Sequence, residues 1–164
     1  MSIAEGQKLE ISLAAISGPE REINHKVLQP ILTDLIALGL TIKQLHWNVV
    51  GPNFRPIHLH LDEIYEEVEE AVDKVAERMS ATGHSPDGRL REVAKNTDLD
   101  DVQPGFIRDS EVLLLASHRL HQTIGVMRDE LQNIESEDTV TADLIHAILE
   151  ELEKHHWMLQ AQRV

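Results

Sequence analysis

A histidine and several carboxylates recur on one side of the stretch between residues 54 and 82. Placed at 100° intervals on a helix, four of them fall within an arc of about 60°. They are His58, Asp62, Glu69 and Asp73, with Glu66 and Glu77 just beyond. A histidine and a carboxylate four residues apart have metal-ligand spacing, and mixed nitrogen and oxygen ligands suit iron, manganese or zinc. The alternative interpretation is an ordinary solvated acidic face.

Helix length separates these candidate ligands into two groups. Asp62 and Asp73 lie about 16 Å apart along a helix, whereas metal–oxygen bonds are about 2 Å, so the two cannot bind one ion within a single chain. If a second copy packs antiparallel across a two-fold axis, His58 and Asp62 of one chain meet Asp73 and Glu77 of the other. His46, near the end of the preceding predicted helix, could supply a further nitrogen.

Apolar residues at helical spacing predict four long helices that position these side chains. The first begins at about residue 22 and contains Pro30, so it either starts late or kinks there. The second extends to about residue 82 and follows a Gly-Pro-Asn turn in which Asn53 is the predicted N-cap. The third begins at about residue 106 and the fourth follows Thr139. A short helix over residues 90–96, in a long connection, completes a predicted all-α four-helix bundle with a crossover.

Composition limits the functions that this chain can have. Its 164 residues fit one domain, with residues 1–20 as a predicted N-terminal arm and residues 21–164 as the bundle. The absence of cysteine excludes disulfides and thiolate sites, and a formal charge of −14 argues against unaided binding to DNA or anionic lipid. The sequence shows no signal-peptide pattern and no apolar stretch long enough to span a bilayer, which predicts a cytoplasmic protein.

Three segments resemble a known family. Residues 43–54, KQLHWNVVGPNF, followed by His58 and Asp62, resemble the signature of the Dps family, the mini-ferritins. The segments TADLI at 141–145 and EKHHW at 153–157 resemble the last helix of that family. The resemblance covers about residues 25–162 and implies a ferritin-like fold, a hollow shell of twelve subunits and ferroxidase centres between two-fold-related subunits. In that family iron(II) is oxidised, preferentially by hydrogen peroxide, and stored as ferric mineral, which protects against oxidative damage.

The resemblance also implies roles for individual residues. The expected iron ligands are His46, His58 and Asp62 from one subunit, with Asp73 and Glu77 from its partner. Trp47, beside the ligand His46, is either an electron donor near the site or an ordinary core aromatic. The acidic cluster between the third and fourth helices is either a solvated loop or the lining of a three-fold pore for iron entry. The pore residues in that case are Glu137, Asp138 and Asp143.

Ordinary ferritins suggest a different location for the site, inside one bundle, built from Glu-x-x-His pairs and further glutamates. This chain has such pairs at residues 22–25 and 153–156. The first lies at or before the front of the first helix, and the second helix has no such pair. An intrasubunit site is therefore disfavoured, and we expect both pairs to be ordinary surface residues.

Two other functions compete with iron oxidation and storage. The first is a nucleoid protein that condenses DNA, as some family members do through lysine-rich tails. Here residues 1–26 hold three basic and four acidic side chains, so direct DNA binding is not expected. The second is a hydrolase, because a carboxylate–histidine metal centre can activate water against an amide or ester. No sequence feature indicates a substrate pocket for it.

Overall fold

The computed structural model describes residues 14–163, and four long helices of this part form an all-α bundle. The elements in chain order are α1 (Pro19–Asn48), β1 (Val49–Val50), α2 (Phe54–Ala81), α3 (Leu90–Asn96), β2 (Ile107–Arg108), α4 (Asp109–Ile134) and α5 (Thr139–Ala161). The short α3 lies in the crossover between α2 and α4, which confirms the predicted architecture. Most of the predicted N-terminal arm, residues 1–13, lies outside the described residues.

The core consists of the apolar faces of the four long helices. α1 packs against α2 and α4, and α5 packs against α4 and α2. Along α1 the fully buried side chains recur three or four residues apart, as in Leu28, Ile31, Leu35, Leu38 and Ile42. This spacing places one stripe of each helix in the core and leaves the other face polar. In the part of the chain that the structure describes, no helix has an apolar stretch long enough to cross a membrane.

The helix α1 continues through Pro30 and begins at Pro19, a few residues before the predicted start. The alternative in which this helix starts late, after Pro30, is therefore wrong. A proline inside a helix removes one backbone hydrogen bond and costs about 3 kcal/mol or more. Leu28 and Ile31, on either side of Pro30, are completely buried, and burying each contributes about 1.5–3 kcal/mol. Packing against the core thus outweighs the local preference.

The segment between α1 and α2 is joined to the end of the crossover. β1 pairs in parallel with β2, with Val49 opposite Ile107. The predicted N-cap is wrong in one respect, because Asn53 makes no side-chain capping bond to α2. Instead its backbone N–H donates to Asp109 Oδ2 at 2.8 Å. Gly51 fits beneath this carboxylate with φ of 140°, where a Cβ would lie 2.5 Å from the Asp109 carboxyl carbon. The third long helix, α4, begins at Asp109, three residues later than the sequence predicts.

Candidate metal centre

The end of α1 and the first turns of α2 bring three predicted ligands together. His46 lies in the last turn of α1, and His58 and Asp62 follow one helical turn apart on α2. One ligand atom from each of the three residues lies within 4.8 Å of the other two. His46 is buried and the other two are partly exposed, so the group is open on one side. The turn between the helices thus produces a compact site with two nitrogens and a carboxylate.

The two histidines of this group hold each other in place. His46 Nδ1 donates to the backbone carbonyl of His58 at 2.9 Å, and His58 Nδ1 donates to the carbonyl of His46 at the same distance. Their rings stack with centroids 3.6 Å apart and planes inclined at 21°. Because a carbonyl only accepts, each ring in its neutral form carries its proton on Nδ1. Each ring therefore keeps an unprotonated Nε2, the form of imidazole that binds a metal ion.

Asp62 is ionised and is paired with a lysine that the sequence analysis did not single out. Lys43 Nζ lies 2.6 Å from Asp62 Oδ1 and 4.4 Å from the centroid of the Tyr65 ring. This hydrogen bond from Lys43, followed by smaller effects of His46 and His58, lowers the pKa of Asp62. Lys43 precedes His46 by three residues, which puts both on one face of α1, but its contact with Asp62 depends on how α1 packs against α2. A cationic side chain thus occupies the position next to the carboxylate.

The predicted partner ligands Asp73 and Glu77 lie elsewhere on the same helix. α2 is continuous from Phe54 to Ala81, so Asp62 and Asp73 are separated by about 16 Å of helix. Both Asp73 and Glu77 are exposed, and among the described residues neither belongs to a group of three ligand side chains. One chain therefore presents half of the predicted site at each of two separate positions along α2.

Several residues close to the histidine pair in the sequence have exposed apolar side chains. Trp47, next to His46, is 66% exposed, which makes its interpretation as a core aromatic wrong for the single chain. Val50, Phe54 and Leu59 are also exposed, and the Phe54 ring lies 4.9 Å from the His58 ring. Single exposed apolar residues are common, but a group of them beside a candidate metal centre is typical of a protein interface.

The predicted pore residues occupy two different environments. Asp138 is the N-cap of α5, and it accepts hydrogen bonds from the backbone N–H groups of Val140 and Thr141. Its other oxygen lies 2.6 Å from Arg78 Nη2 of α2. Glu137 and Asp143 are exposed. The carboxylate of Asp138 is thus occupied by contacts within the chain, whereas the other two face solvent.

The two Glu-x-x-His pairs contact different parts of the chain. The rings of His25 and His84 stack at 4.5 Å, and Glu22 lies 3.9 Å from His84. In the other pair, His156 donates to the backbone carbonyl of Ser117 at 3.0 Å. Neither pair belongs to a group of three ligands among the described residues.

A second group of ligand side chains was missed by the sequence analysis. Glu67 of α2 lies with Glu151 and His155 of α5, and one ligand atom from each is within 4.8 Å of the others. Glu151 and His155 are four residues apart, which is metal-ligand spacing on a helix. That spacing was visible in the sequence, but the contribution of Glu67 requires the packing of α2 against α5.

Comparisons with known proteins agree with this geometry. The ferritin-like domain family matches residues 25–164. The chain is 33% identical over 151 residues to DNA protection during starvation protein 2 of Deinococcus radiodurans, covering 92% of this chain but 62% of that protein. It is 37% identical over 137 residues to DNA protection during starvation protein of Mycolicibacterium smegmatis, covering 82% of this chain and 74% of that protein.

Solved structures show the same relationship in three dimensions. A tetragonal crystal form of Dps from Mycobacterium smegmatis has a TM-score of 0.86 and 31% identity, covering 96% of this chain and 94% of that chain. Dps from Microbacterium arborescens in its high iron form has a TM-score of 0.87 and 26% identity, covering 92% and 98%. Since both the sequence family and the bundle agree, the chain belongs to the ferritin-like family and, within it, to the Dps mini-ferritins.

Proposed function

We propose that this chain oxidises iron(II), preferentially with hydrogen peroxide, and stores the ferric product inside a hollow dodecamer in the cytoplasm. The observation that carries the proposal is the reciprocal hydrogen bonding of His46 and His58, which leaves Nε2 of each neutral ring available, in one group of ligand side chains with the ionised Asp62. Two imidazoles and a carboxylate form a donor set that suits iron(II). The relative crystallised in a high iron form supports iron as the substrate.

The chemistry needs two iron(II) ions for each molecule of peroxide. Each iron(II) gives up one electron, and the two electrons break the O–O bond of hydrogen peroxide to form two hydroxide ions. Hydrolysis of the ferric ions then yields the mineral and releases protons. The protein's contribution is to hold the iron and to supply negative charge, which stabilises iron(III) more than iron(II).

Completion of the site by a second copy is part of this proposal. Asp73 and Glu77 of the partner subunit would meet His58 and Asp62 if two chains pack with their α2 helices antiparallel, and a two-fold axis then forms the site twice. The exposed Trp47 and Phe54 beside the histidines would be covered in that arrangement. In this position Trp47 is a candidate electron donor near the site.

The iron-entry pore remains a further part of the proposal. Glu137 and Asp143 are exposed carboxylates near the start of α5, which suits attraction of a divalent cation. Asp138, whose carboxylate caps α5 and pairs with Arg78, would position this segment as well as contribute charge.

The decisive experiment follows iron(II) oxidation separately with hydrogen peroxide and with dioxygen. We expect faster oxidation with peroxide, together with a light-scattering mass of twelve chains of 18.6 kDa each. Oxidation at the rate of iron(II) in buffer would contradict the ferroxidase proposal. A monomer at micromolar concentration would contradict the shared site.

The names of the relatives mention DNA protection, and in this chain we propose that protection is indirect. The formal charge of −14 on each chain repels the phosphate backbone, and twelve chains multiply the effect. Removal of iron(II) and peroxide would protect DNA without contact. The proposal therefore needs no DNA-binding surface.

A further inference from the structure

The groove between α2 and α5 contains a cluster of ligand side chains that the proposed iron-oxidation site does not use. Glu67, Glu151 and His155 each place one ligand atom within 4.8 Å of the others. We propose that they form a second metal site, complete within one chain, for a divalent transition-metal ion. One imidazole and two carboxylates suit Fe²⁺, Mn²⁺, Co²⁺ or Zn²⁺ rather than Mg²⁺ or Ca²⁺, which favour all-oxygen ligands.

An unpartnered nitrogen in the core supports this assignment. His155 is only 4% exposed, and its Nε2 has no hydrogen-bond partner among the described residues. Its Nδ1 lies 3.1 Å from His60 Nε2 and is therefore already engaged. A buried polar atom without a partner costs about 1–3 kcal/mol. A metal ion bound between the two glutamates would give Nε2 the partner that it lacks.

The hydrogen bonds behind His155 can adopt the arrangement that a metal ligand requires. Gln162 Nε2 lies 3.0 Å from His60 Nδ1, and His60 Nε2 faces His155 Nδ1. With the Gln162 amide donating, the proton of neutral His155 is on Nε2. If the Gln162 amide turns over, its oxygen accepts from His60 Nδ1, and His155 donates through Nδ1 to His60.

This reversal frees the lone pair of His155 Nε2 without moving any ring, but it gives up the hydrogen bond that Gln162 Nε2 donates to the Met158 carbonyl at 3.2 Å. Metal-binding histidines typically donate their other N–H to a partner that fixes their orientation. The series of hydrogen bonds from His155 through His60 to Gln162 provides that partner. Once the Gln162 amide has turned over, the contacts behind the ligand are those of an oriented metal-binding histidine.

The electrostatic setting favours a cation in this groove. Other acidic side chains line the same groove, namely Glu63, Glu66 and Glu70. The ammonium group of Lys154 pairs with Glu151 and is the one competitor that the described contacts place at these ligands. Metal binding would displace it, and its exposed side chain has room to turn away.

The test uses Co²⁺ as the probe, because its visible absorption reports nitrogen and oxygen ligands independently of iron oxidation. The assembled protein carries His58→Ala and Asp62→Ala, which remove the first site and make the experiment independent of the proposed function. We expect about one Co²⁺ per chain to remain bound. Adding Glu67→Gln or Glu151→Gln should weaken this binding by more than about tenfold, since even outer-shell partners of a metal are worth 10- to 100-fold.

The matched control is Glu150→Gln, which removes the same charge one residue away from Glu151 on an exposed position of α5. It should leave the Co²⁺ affinity within a factor of about two, because a surface charge is screened. Lys154→Ala should tighten binding by removing the competing ammonium group. Absence of bound Co²⁺ in the parent variant would overturn the proposal. Equal losses in Glu150→Gln and Glu67→Gln would also overturn it, because they would show general attraction to an acidic surface.

Discussion

His46 and His58 each donate a hydrogen bond from Nδ1 to the other residue's backbone carbonyl at 2.9 Å. The two bonds close a ring that joins the last turn of α1 to the first turn of α2. Because each imidazole orients the other's backbone, the two side chains act as one unit. Loss of either side chain removes one Nε2 atom and disturbs the position of the other.

We predict that His46→Ala and His58→Ala each slow peroxide-driven iron oxidation by more than about tenfold, since first-shell ligands matter at least as much as their outer-shell partners. The double variant should be little slower than either single variant, because residues that act as a unit are not additive. Stopped-flow absorbance of ferric iron measures the rates. The control is His146→Ala, an exposed histidine on α5. Wild-type rates in both single variants would contradict the site.

A second prediction tests whether the site is shared between chains. One variant carries His58→Ala with Asp62→Ala, and another carries Asp73→Ala with Glu77→Ala. Each alone should be nearly inactive, because every site lacks one half. After unfolding and co-refolding, half of the two-fold pairs are mixed, and in each mixed pair one of the two sites is intact. About a quarter of the sites should therefore recover.

Iron oxidation by the co-refolded shells measures this recovery, and native mass spectrometry confirms that the shells are mixed. Separately refolded variants, combined only after assembly, are the control. A site contained within one chain gives no recovery. Mixed shells with the activity of the parent variants would exclude the shared geometry.

A third prediction concerns Lys43, whose ammonium group pairs with Asp62. Lys43→Met keeps the aliphatic part of the side chain and removes the charge. We expect tighter binding of Zn²⁺ at the first site, because the metal no longer displaces an ammonium group from the carboxylate. Isothermal titration at neutral pH measures the affinity. Weaker binding in Lys43→Met would mean that Lys43 assists the ion rather than competing with it.

A fourth prediction concerns the cap of α5. Burial by itself raises the pKa of Asp138, but hydrogen bonds from Thr141, Arg78 and Asn24 outweigh it and hold the pKa at about 2. Since the folded pKa lies below the ordinary value of 3.8, this carboxylate stabilises the fold above about pH 4. The stabilisation, about 2 kcal/mol, is lost as the pH falls through about 2. Asp138→Ala should therefore lower Tm much more at pH 7 than at pH 2, where most of this stabilisation is already lost.

Asp138→Asn separates the two contributions of this residue. The amide oxygen still accepts from the start of α5, so the capping contribution of about 1 kcal/mol remains. The ion pair with Arg78 is lost. We expect a Tm between those of wild type and Asp138→Ala. Equal Tm values for all three proteins at pH 7 would contradict the role of Asp138 in stability.

A fifth prediction follows from charge. We expect no retardation of duplex DNA by the assembled protein at neutral pH and physiological salt, because the formal charge is −14 on each chain. Gel retardation without added divalent cation measures it, with a basic DNA-binding protein as the positive control. A retarded band at micromolar protein would show that a local basic surface outweighs the net charge.

The sequence predicted those features that depend on local periodicity. The sequence predicted the extent of α2 and the start of α5 to within about a residue, and the short α3 was expected. The interpretation of Pro30 left two alternatives open, because the burial of Leu28 and Ile31 comes from contacts with other helices. β1 and β2 were not predicted either. Two residues in each strand carry no periodic pattern, and they pair only because the bundle brings them together.

The difference between local spacing and contacts between helices also applies to the metal centre. His46, His58 and Asp62 were grouped from spacing and resemblance, and the structure brings them together. The pairing of Lys43 with Asp62 depends on how α1 and α2 are rotated against each other, which spacing alone does not specify. The group with Glu67 was missed because its members come from α2 and α5, which are distant in sequence.

Asp109, the first residue of α4, accepts a hydrogen bond from Asn53 in the turn before α2. This contact has a consequence for protein engineering. Because this bond and the β1–β2 pair fix the end of the crossover to the turn before α2, the length of the chain between α3 and β2 does not determine where His58 lies. Gln103, Pro104 and Gly105 are all exposed, and a Cβ at Gly105 would meet no atom within 4 Å. Loop entropy grows slowly with length. A peptide epitope inserted at this point would be displayed on the folded protein without shifting the helices of the bundle relative to one another.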